Sequence, residues 1–204
     1  MEIRALFPGS KQIWSGYFLD YKACAKTLQC SELNSASGIY VTLNNLHPGL
    51  IARNPNRLTK SDKSTGRNDV ISARWVLIDC DPVRPSGISS TDKELQAAKL
   101  VQVSIVDWIT CHWPSVGLLP ACSGNGWHVL VAAKSAGLLE YPAQKEFLKS
   151  INTMFGTPQV KIDTSVAEPH QLTKMYGTWA RKGHSTHERP HRQSYLECPL
   201  PGIE

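Results

Sequence analysis

The sequence predicts a mixed α/β (α+β) fold built around a split βαβ, or ferredoxin-like, module over about residues 70 to 166. Apolar runs of strand length alternate there with two segments of helical periodicity, in the order strand, helix, strand, strand, helix, strand. Before this module, one helical segment lies between two further strand-like runs, which predicts N-terminal αβ elements packed beside it. The 204 residues suffice for one sizeable domain or for two small modules that share a core.

The N-terminal elements follow from local composition. The segment IWSGYF (residues 13–18) predicts a strand, residues 19–33 have the apolar spacing of a helix, and the β-branched and aromatic segment GIYVTLN (38–44) predicts a second strand. Residues 51–70 combine Asn, Ser, Thr and Gly with five basic residues, Arg53, Arg57, Lys60, Lys63 and Arg67. This composition predicts a basic loop, which is either a nucleic-acid contact or a solvated surface.

The elements of the module carry clearer signals. The run WVLIDCDPV (75–83) predicts a buried strand, and the capping box from Thr91 to Glu94 opens a helix expected to reach about Cys111. Residues 117–133 predict two short strands around a glycine turn. A second helix is predicted from Pro142 to its closure at Gly156, and QVKIDTSV (159–166) predicts the last short strand.

Composition bounds the class of protein. The formal net charge is +5 with a pI near 8.9, which suits a polyanionic partner. The cysteines Cys24, Cys30, Cys80, Cys111, Cys122 and Cys198 show no C-x-x-C spacing, which argues against a zinc ribbon and favours reduced thiols. The sequence contains no run of membrane-spanning length and no apolar signal segment, so we expect a cytoplasmic protein without a membrane partner.

Two aspartates end the predicted buried strand. Alternation along a strand places Asp79 and Asp81 on one face while Ile78 and Cys80 fill the other. Two like charges at the edge of a core require a counter-charge, and carboxylate oxygens favour Mg²⁺ or Mn²⁺. The alternative is that an aspartate before Pro82 only caps a turn.

A third carboxylate, Asp163, lies on the last predicted strand of the module. The first and last strands of a split βαβ sheet lie close together, so Asp163 can converge on the aspartate pair. Three carboxylates could hold two divalent ions about 3.5–4 Å apart, an arrangement suited to nucleotidyl transfer. The alternative is a capping role before Thr164 and Ser165.

The segment SGNGWH (123–128) predicts a phosphate cradle. Gly124 and Gly126 would let the backbone approach an anion, and Ser123 and His128 would add side-chain donors. The alternatives are an ordinary Asn-Gly hairpin turn and a histidine that is simply buried in the core.

A basic segment follows Asp163 within thirty residues. It contains Lys174, Arg181, Lys182, Arg189 and Arg192, with the aromatic residues Tyr176 and Trp179 among them. Basic groups beside a metal centre neutralise phosphate charge, and aromatic rings can stack on bases. The alternative is a solubilising terminal tail.

Taken in order, the segments DCD (79–81), SGNGWH, KID (161–163) and GTWARKG (177–183) resemble the motifs of the archaeo-eukaryotic primase superfamily. The resemblance covers most of the chain and is strongest to the primase-polymerase domains of plasmid, phage and CRISPR-associated replication proteins. It implies a single primase-polymerase catalytic domain over residues 1–204 with the archaeo-eukaryotic primase fold. Within it, residues 1–69 would form an N-terminal αβ module and residues 70–204 an RRM-like catalytic module with a C-terminal basic segment.

The resemblance also implies roles for individual residues. The metal ligands and catalytic residues would be Asp79, Asp81 and Asp163. The nucleotide-binding residues would be Ser123, Gly124, Gly126, His128, Lys174, Thr178 and Lys182. DNA contacts are predicted at Arg53, Arg57, Lys60, Arg189 and Arg192. The chain departs from the family pattern at Lys174, often arginine, at Tyr176, often proline, and at Ala180, often asparagine.

The implied activity is template-dependent nucleotidyl transfer. A primase-polymerase would join NTPs or dNTPs on a single-stranded DNA template and primer with two Mg²⁺ or Mn²⁺ ions, releasing pyrophosphate. The family's zinc-binding insert is not evident, and a helicase or C-terminal primase module would belong to a longer native chain. The alternatives are a metal-dependent nuclease or phosphodiesterase and a non-catalytic, RRM-like nucleic-acid-binding module.

Overall fold

The computed structural model describes residues 1–10 and 13–197, and these form a mixed α+β fold with two five-stranded antiparallel sheets. The strands are β1 (Glu2–Leu6), β2 (Ile13–Tyr17), β3 (Gly38–Thr42), β4 (Asn45–Leu46), β5 (Thr59–Ser61), β6 (Val70–Ser72), β7 (Trp75–Pro82), β8 (Leu118–Cys122), β9 (Trp127–Ala132), β10 (Val160–Ile162), β11 (Leu172–Lys174), β12 (Trp179–Ala180), β13 (Arg192–Gln193) and β14 (Tyr195–Leu196). The helices are α1 (Tyr21–Leu28), α2 (Asp92–His112) and α3 (Tyr141–Phe155). The predicted fold class is confirmed.

The second sheet contains the predicted split βαβ arrangement. Its strand order is β10-β7-β9-β8-β14, and every neighbouring pair is antiparallel. Helix α2 connects β7 to β8, and helix α3 connects β9 to β10. The first four strands therefore have the ferredoxin-like order, with β14 added at the open edge.

Both helices of the module pack on one face of this sheet. The predicted capping box begins α2, because Thr91 accepts from the Glu94 backbone at 3.1 Å and its own N–H donates to the Glu94 carboxylate at 2.8 Å. The buried side chains of this layer are Ala98, Ile105 and Ile109 from α2, Leu148 and Ile151 from α3, and Ile78, Cys80, Val129 and Val131 from the sheet. Strand alternation therefore leaves Leu77, Asp79 and Asp81 on the face opposite the helices.

The first sheet has the order β11-β3-β1-β2-β5. Its strand β1 is absent from the sequence-based prediction, because Glu2 and Arg4 interrupt its apolar pattern. Both side chains are buried and joined at 2.8 Å, and Ser15 donates to the other Glu2 oxygen at 2.6 Å. Strand β11 also joins this sheet, so the chain returns at residues 172–174 to the unit assigned to residues 1–69.

Asn44 fixes the two sheets to each other. Its buried side-chain carbonyl accepts from the Arg74 backbone at 2.9 Å, at the start of β7. Its amide donates to the Pro169 carbonyl at 3.0 Å, just before β11. One buried side chain thus ties the end of β3 to both segments that border the space between the sheets.

Three segments differ from the prediction. The helix predicted over 19–33 divides into α1, capped by Asp20, and a 3-10 helix at Ser31–Ser35, where Ser and Asn side chains compete for backbone groups. The basic segment 51–70 is not only a loop, since it supplies β5. The C-terminal segment supplies β14, whereas Cys198 lies outside the described residues.

Two further predictions can be compared with the described residues. The five cysteines among them are free thiols. Within residues 1–10 and 13–197, no helix combines the length and apolar character needed to cross a membrane.

Candidate active site

The cavity between the two sheets brings together most of the predicted catalytic and nucleotide-binding residues. It has a volume of about 200 Å³. The second sheet and the segment after β10 contribute Asp79, Asp81, Ser123, Asn125, His128 and Asp163. The opposite wall includes Ser37, Tyr40, Thr173, Lys174 and Lys182. Three acids, two lysines, two serines and a histidine therefore line one cavity.

Strand register explains the centre of this cavity. Asp79 on β7 lies directly opposite His128 on β9, and Asp81 lies opposite Lys161 on β10. The predicted shared face of Asp79 and Asp81 is therefore present, with Ile78 and Cys80 fully buried behind it.

Asp163 approaches the pair from the end of β10. Its backbone N–H donates to the Asp79 carbonyl at 3.1 Å, while its carboxylate accepts from the Ser165 N–H at 2.8 Å. The capping role considered for this residue is therefore present, at the start of a 3-10 helix over Thr164–Val166. Among residues 1–10 and 13–197, no three His, Cys, Asp or Glu side chains stand as a group that could hold a metal ion.

The two aspartates have different electrostatic environments. Burial raises the pKa of Asp79, but the His128 imidazole, with further contributions from Lys182 and Arg84, outweighs burial and leaves that pKa below its ordinary value. Burial and the charge of Asp79 raise the pKa of Asp81, and the nearby guanidinium of Arg84 does not fully offset them. Asp79 is therefore the more readily ionised of the two, whereas ionisation of Asp81 is disfavoured.

Arg84 is a site residue that the sequence analysis did not single out. Its side chain is 5% exposed, and its guanidinium donates to Asp81 at 2.8 Å and to the Pro82 carbonyl at 3.0 Å. Arg84 follows Asp81 by three residues, which is a sequence indication of an ion pair between them. The turn that brings the two side chains together is not visible in the sequence.

His128 is held by a chain of hydrogen bonds. Its Nδ1 lies 2.7 Å from the Tyr176 hydroxyl, which lies 3.2 Å from the Thr173 hydroxyl, and its Nε2 lies 3.4 Å from Asp79 Oδ1. The Asp79 carboxylate is an acceptor, so it favours the His128 tautomer that carries its proton on Nε2. In this tautomer Nδ1 is an acceptor, and the Tyr176 hydroxyl donates to it. Burial raises the pKa of Tyr176, so its hydroxyl remains a donor. The protonated edge of the imidazole therefore faces the carboxylates.

The turn from Ser123 to Gly126 is closed by the Ser123 hydroxyl. This hydroxyl donates to the Gly126 carbonyl at 3.1 Å and accepts from the Gly126 N–H at 3.0 Å. Asn125, which the sequence analysis assigned no role, is buried and accepts from the Ser90 N–H at 2.9 Å. The turn is thereby fixed to the segment before α2.

The two glycines of this turn make close contacts within the protein, and the anion contact predicted for them from the sequence stays a prediction. Gly124 has a φ of +92°, and a Cβ there would lie 2.7 Å from Ala180 Cβ. A Cβ at Gly126 would lie 2.8 Å from the Cys80 carbonyl oxygen and 3.1 Å from Asp81 Oδ1. Glycine is required here because β7 and β12 pass so close.

The predicted nucleotide-binding residues after β10 have different positions. Lys174 is buried, and its ammonium donates to the Trp179 carbonyl at 2.8 Å. Burial, followed by the charges of Arg181 and Lys182, lowers the pKa of Lys174 to about 7. Lys182 lines the cavity from an exposed position. Thr178 instead closes a turn, donating to the Met175 carbonyl at 2.6 Å, and is not among the residues described as lining the cavity.

Most of the predicted DNA-binding arginines are engaged within the protein. Arg53 pairs with Asp69 at 3.1 Å, Arg189 with Glu94 at 2.8 Å and Arg192 with Asp92 at 2.6 Å. Arg57 donates to the Asn54 side chain at 2.9 Å, and Lys60 is exposed on β5. Arg189 and Arg192 thus fasten the C-terminal segment to the start of α2. Their predicted contacts with DNA, like those of Arg53, Arg57 and Lys60, remain predictions.

The chain was compared with protein families, curated proteins and solved structures. No protein-family model matches the sequence, and no curated protein matches it significantly. Among solved structures, the chain is similar to the polymerase domain of Mycobacterium tuberculosis Ligase D, determined in complex with DNA. The two chains are 13% identical with a TM-score of 0.43, and the match covers 94% of this chain and 72% of that chain.

Proposed function

We propose that this protein is a template-dependent nucleotidyltransferase that joins nucleoside triphosphates on single-stranded DNA and releases pyrophosphate. The observation that carries the proposal is the cavity in which three aspartates face His128, Ser123 and two lysines. A site of this composition can bind divalent cations on one side and phosphate oxygens on the other. The order of the DCD, SGNGWH and KID segments supports membership of the archaeo-eukaryotic primase superfamily.

The cavity offers oxygen donors of the kind that Mg²⁺ and Mn²⁺ prefer, although in the described residues its carboxylates do not stand as a group that could hold an ion. Asp79, Asp81 and Asp163 would be the ligands after a rearrangement, and a cation would offset the burial and the repulsion from Asp79 that raise the pKa of Asp81. To serve as a ligand, Asp163 has to exchange its hydrogen bond with the Ser165 backbone. When bound, such ions neutralise phosphate charge and lower the pKa of an attacking hydroxyl.

The other residues supply binding and orientation. The Nε2–H edge of His128 and the ammonium groups of Lys174 and Lys182 face the same cavity as the carboxylates and would hold the triphosphate. Ser123 would donate to a phosphate only after releasing the Gly126 carbonyl, so its established part is to shape the turn. The reaction is in-line attack of a primer 3′-hydroxyl on the α-phosphate, with pyrophosphate as the leaving group.

The test is primer extension with labelled triphosphates, Mg²⁺ or Mn²⁺, and both primed and unprimed single-stranded templates. We expect template-directed products and stoichiometric pyrophosphate from the wild type and loss of both in Asp79→Asn and Asp81→Asn. Asp107→Asn is the matched control, because Asp107 is exposed on α2. Shortened DNA with released monophosphates would instead identify a nuclease, and DNA binding without either reaction would identify a binding module.

A further inference from the structure

A second groove opens beside the candidate active site. It has a volume of about 650 Å³ and shares Ser37, Tyr40 and Lys182 with the carboxylate cavity. We propose that this groove, lined by Arg181, Lys182 and His184, binds single-stranded nucleic acid and leads the strand to the carboxylates. This inference rests on the proposed function and adds the surface that takes the polymer.

The groove differs from the cavity in charge. Its lining residues within the described chain include Arg181, Lys182 and His184 but no aspartate or glutamate. The cavity, in contrast, contains three aspartates and needs cations before it can accept phosphates. The groove can therefore bind a phosphodiester backbone directly, without a metal ion.

The positions of the basic groups fit a strand that passes along the groove. Lys182 lines both the groove and the cavity, so its positive charge lies where the two meet. The backbone N–H of Arg181 donates to the Ser37 carbonyl at 2.8 Å, and its guanidinium donates to the Ala36 carbonyl at 3.2 Å. The first sheet thus holds this part of the groove in place.

Aromatic rings beside these groups favour an unpaired strand. The Tyr40 ring lines both the groove and the cavity. The Arg181 guanidinium lies 5.4 Å from the ring centroid of Trp179, whose side chain is 45% exposed. Bases stack on such rings only when they are free of a duplex. The phosphate and base chemistry therefore fits single-stranded DNA or RNA.

This surface is distinct from the one predicted from the sequence. Arg53, Arg189 and Arg192 form ion pairs with carboxylates, which already neutralise much of their charge. Binding DNA through them requires breaking those pairs. Lys145, exposed on α3 at the far side of the second sheet, makes a charge-matched control for Arg181.

The test measures fluorescence anisotropy of a labelled oligo(dT) with the full chain in EDTA, at several salt concentrations. One phosphate contact to a single strand contributes about 0.7 to the slope of log K against log salt. We expect Arg181→Ala to reduce the slope by about 0.7 and the affinity about fivefold at 0.1 M salt. His184→Glu, a change at an exposed position, should also weaken binding, whereas Lys145→Ala should change affinity less than about twofold.

The outcomes separate this inference from the proposed function. If Lys145→Ala weakens binding as much as Arg181→Ala while His184→Glu has no effect, the groove assignment is wrong. If Arg181→Ala raises the KM for the triphosphate but leaves oligonucleotide affinity unchanged, the groove serves the nucleotide and the inference is overturned. Oligonucleotide binding that depends on Arg181 and His184, in a protein that never extends a primer, supports the groove and refutes the polymerase proposal.

Discussion

Replacing Tyr176 by phenylalanine tests whether the position of His128 matters for activity. The substitution removes one hydroxyl that lies 2.7 Å from His128 Nδ1 and 3.2 Å from the Thr173 hydroxyl. It leaves a buried imidazole nitrogen without its partner, which costs about 1–3 kcal/mol of stability. For a chain of this size, that corresponds to a decrease in Tm of about 2–12 °C.

The effect on catalysis should exceed what this loss of stability can explain. Without the Tyr176 hydroxyl, the imidazole is free to rotate or to change tautomer, and its Nε2–H no longer faces the cavity in a fixed direction. We expect kcat/KM for primer extension to fall about 10- to 100-fold, which is about 1.4–2.7 kcal/mol of transition-state stabilisation. The assay is run well below the Tm of the variant, so that the protein remains folded.

Thr173→Val is the matched control for this prediction. It removes the far end of the hydrogen-bond chain but keeps the contact between Tyr176 and His128, so its activity should stay within about threefold of the wild type. Nitrogen chemical shifts of His128 would report the tautomer directly. The reasoning is refuted if Tyr176→Phe lowers the Tm as expected but leaves kcat/KM within about twofold, or if the tautomer is unchanged.

Three further predictions concern the surrounding residues. In EDTA at pH 7, Asp79→Asn should lower the Tm. The pKa of Asp79 is lower in the folded protein than in the unfolded chain, so its charged form stabilises the fold at pH values above the unfolded-state pKa. This stabilisation is lost as the pH falls through the folded-state pKa. Asp81→Asn should not lower the Tm, since the pKa of Asp81 is raised; thermal unfolding that gives the reverse order would contradict this electrostatic assignment. The pKa of Lys174 is about 7 in the folded protein and 10.5 ordinarily, so between these pH values the unfolded chain binds more protons than the folded protein. The free energy of unfolding of the wild type should therefore rise with pH across this window, relative to that of Lys174→Met. Denaturant titrations at pH 6 and 9 measure this difference, and a gap that stays constant would argue against a buried, titrating Lys174. Gly126→Ala should cost about 1–3 kcal/mol and most extension activity, because its Cβ meets a β7 carbonyl at 2.8 Å, whereas Gly66→Ala, with its nearest neighbour at 4.0 Å, should be neutral in the same unfolding and extension assays.

The split βαβ module was predictable because the sequence patterns that define its helices and strands are local. The capping box at Thr91 and the closure at Gly156 fix the ends of α2 and α3 within a few residues of chain. The shared face of Asp79 and Asp81 follows equally from strand alternation, which needs no knowledge of the rest of the fold.

Contacts between distant parts of the chain were not predictable in this way. Strand β1 was missed because a buried ion pair between Glu2 and Arg4 reads as a polar segment. Arg189 appeared free to bind DNA, although its partner, Glu94, lies 95 residues earlier. Tyr176 was noted as an aromatic residue of the basic segment and as a departure from a family pattern, but not as a partner of His128, because that contact spans 48 residues.

The return of the chain at β11 has a consequence for how the protein folds during synthesis. Residues 172–174 pair with residues 40–42, so a wall of the cavity joins segments made about 130 residues apart. Contacts of such long sequence separation form late, after the entropy of closing the intervening loop has been lost. The split βαβ sheet can assemble from residues 75–162 as soon as they leave the ribosome, but the cavity is complete only after β11 has emerged. Until then, Asp79 and Asp81 lie on an open sheet face, and the proposed nucleotide site lacks the wall that carries Lys174.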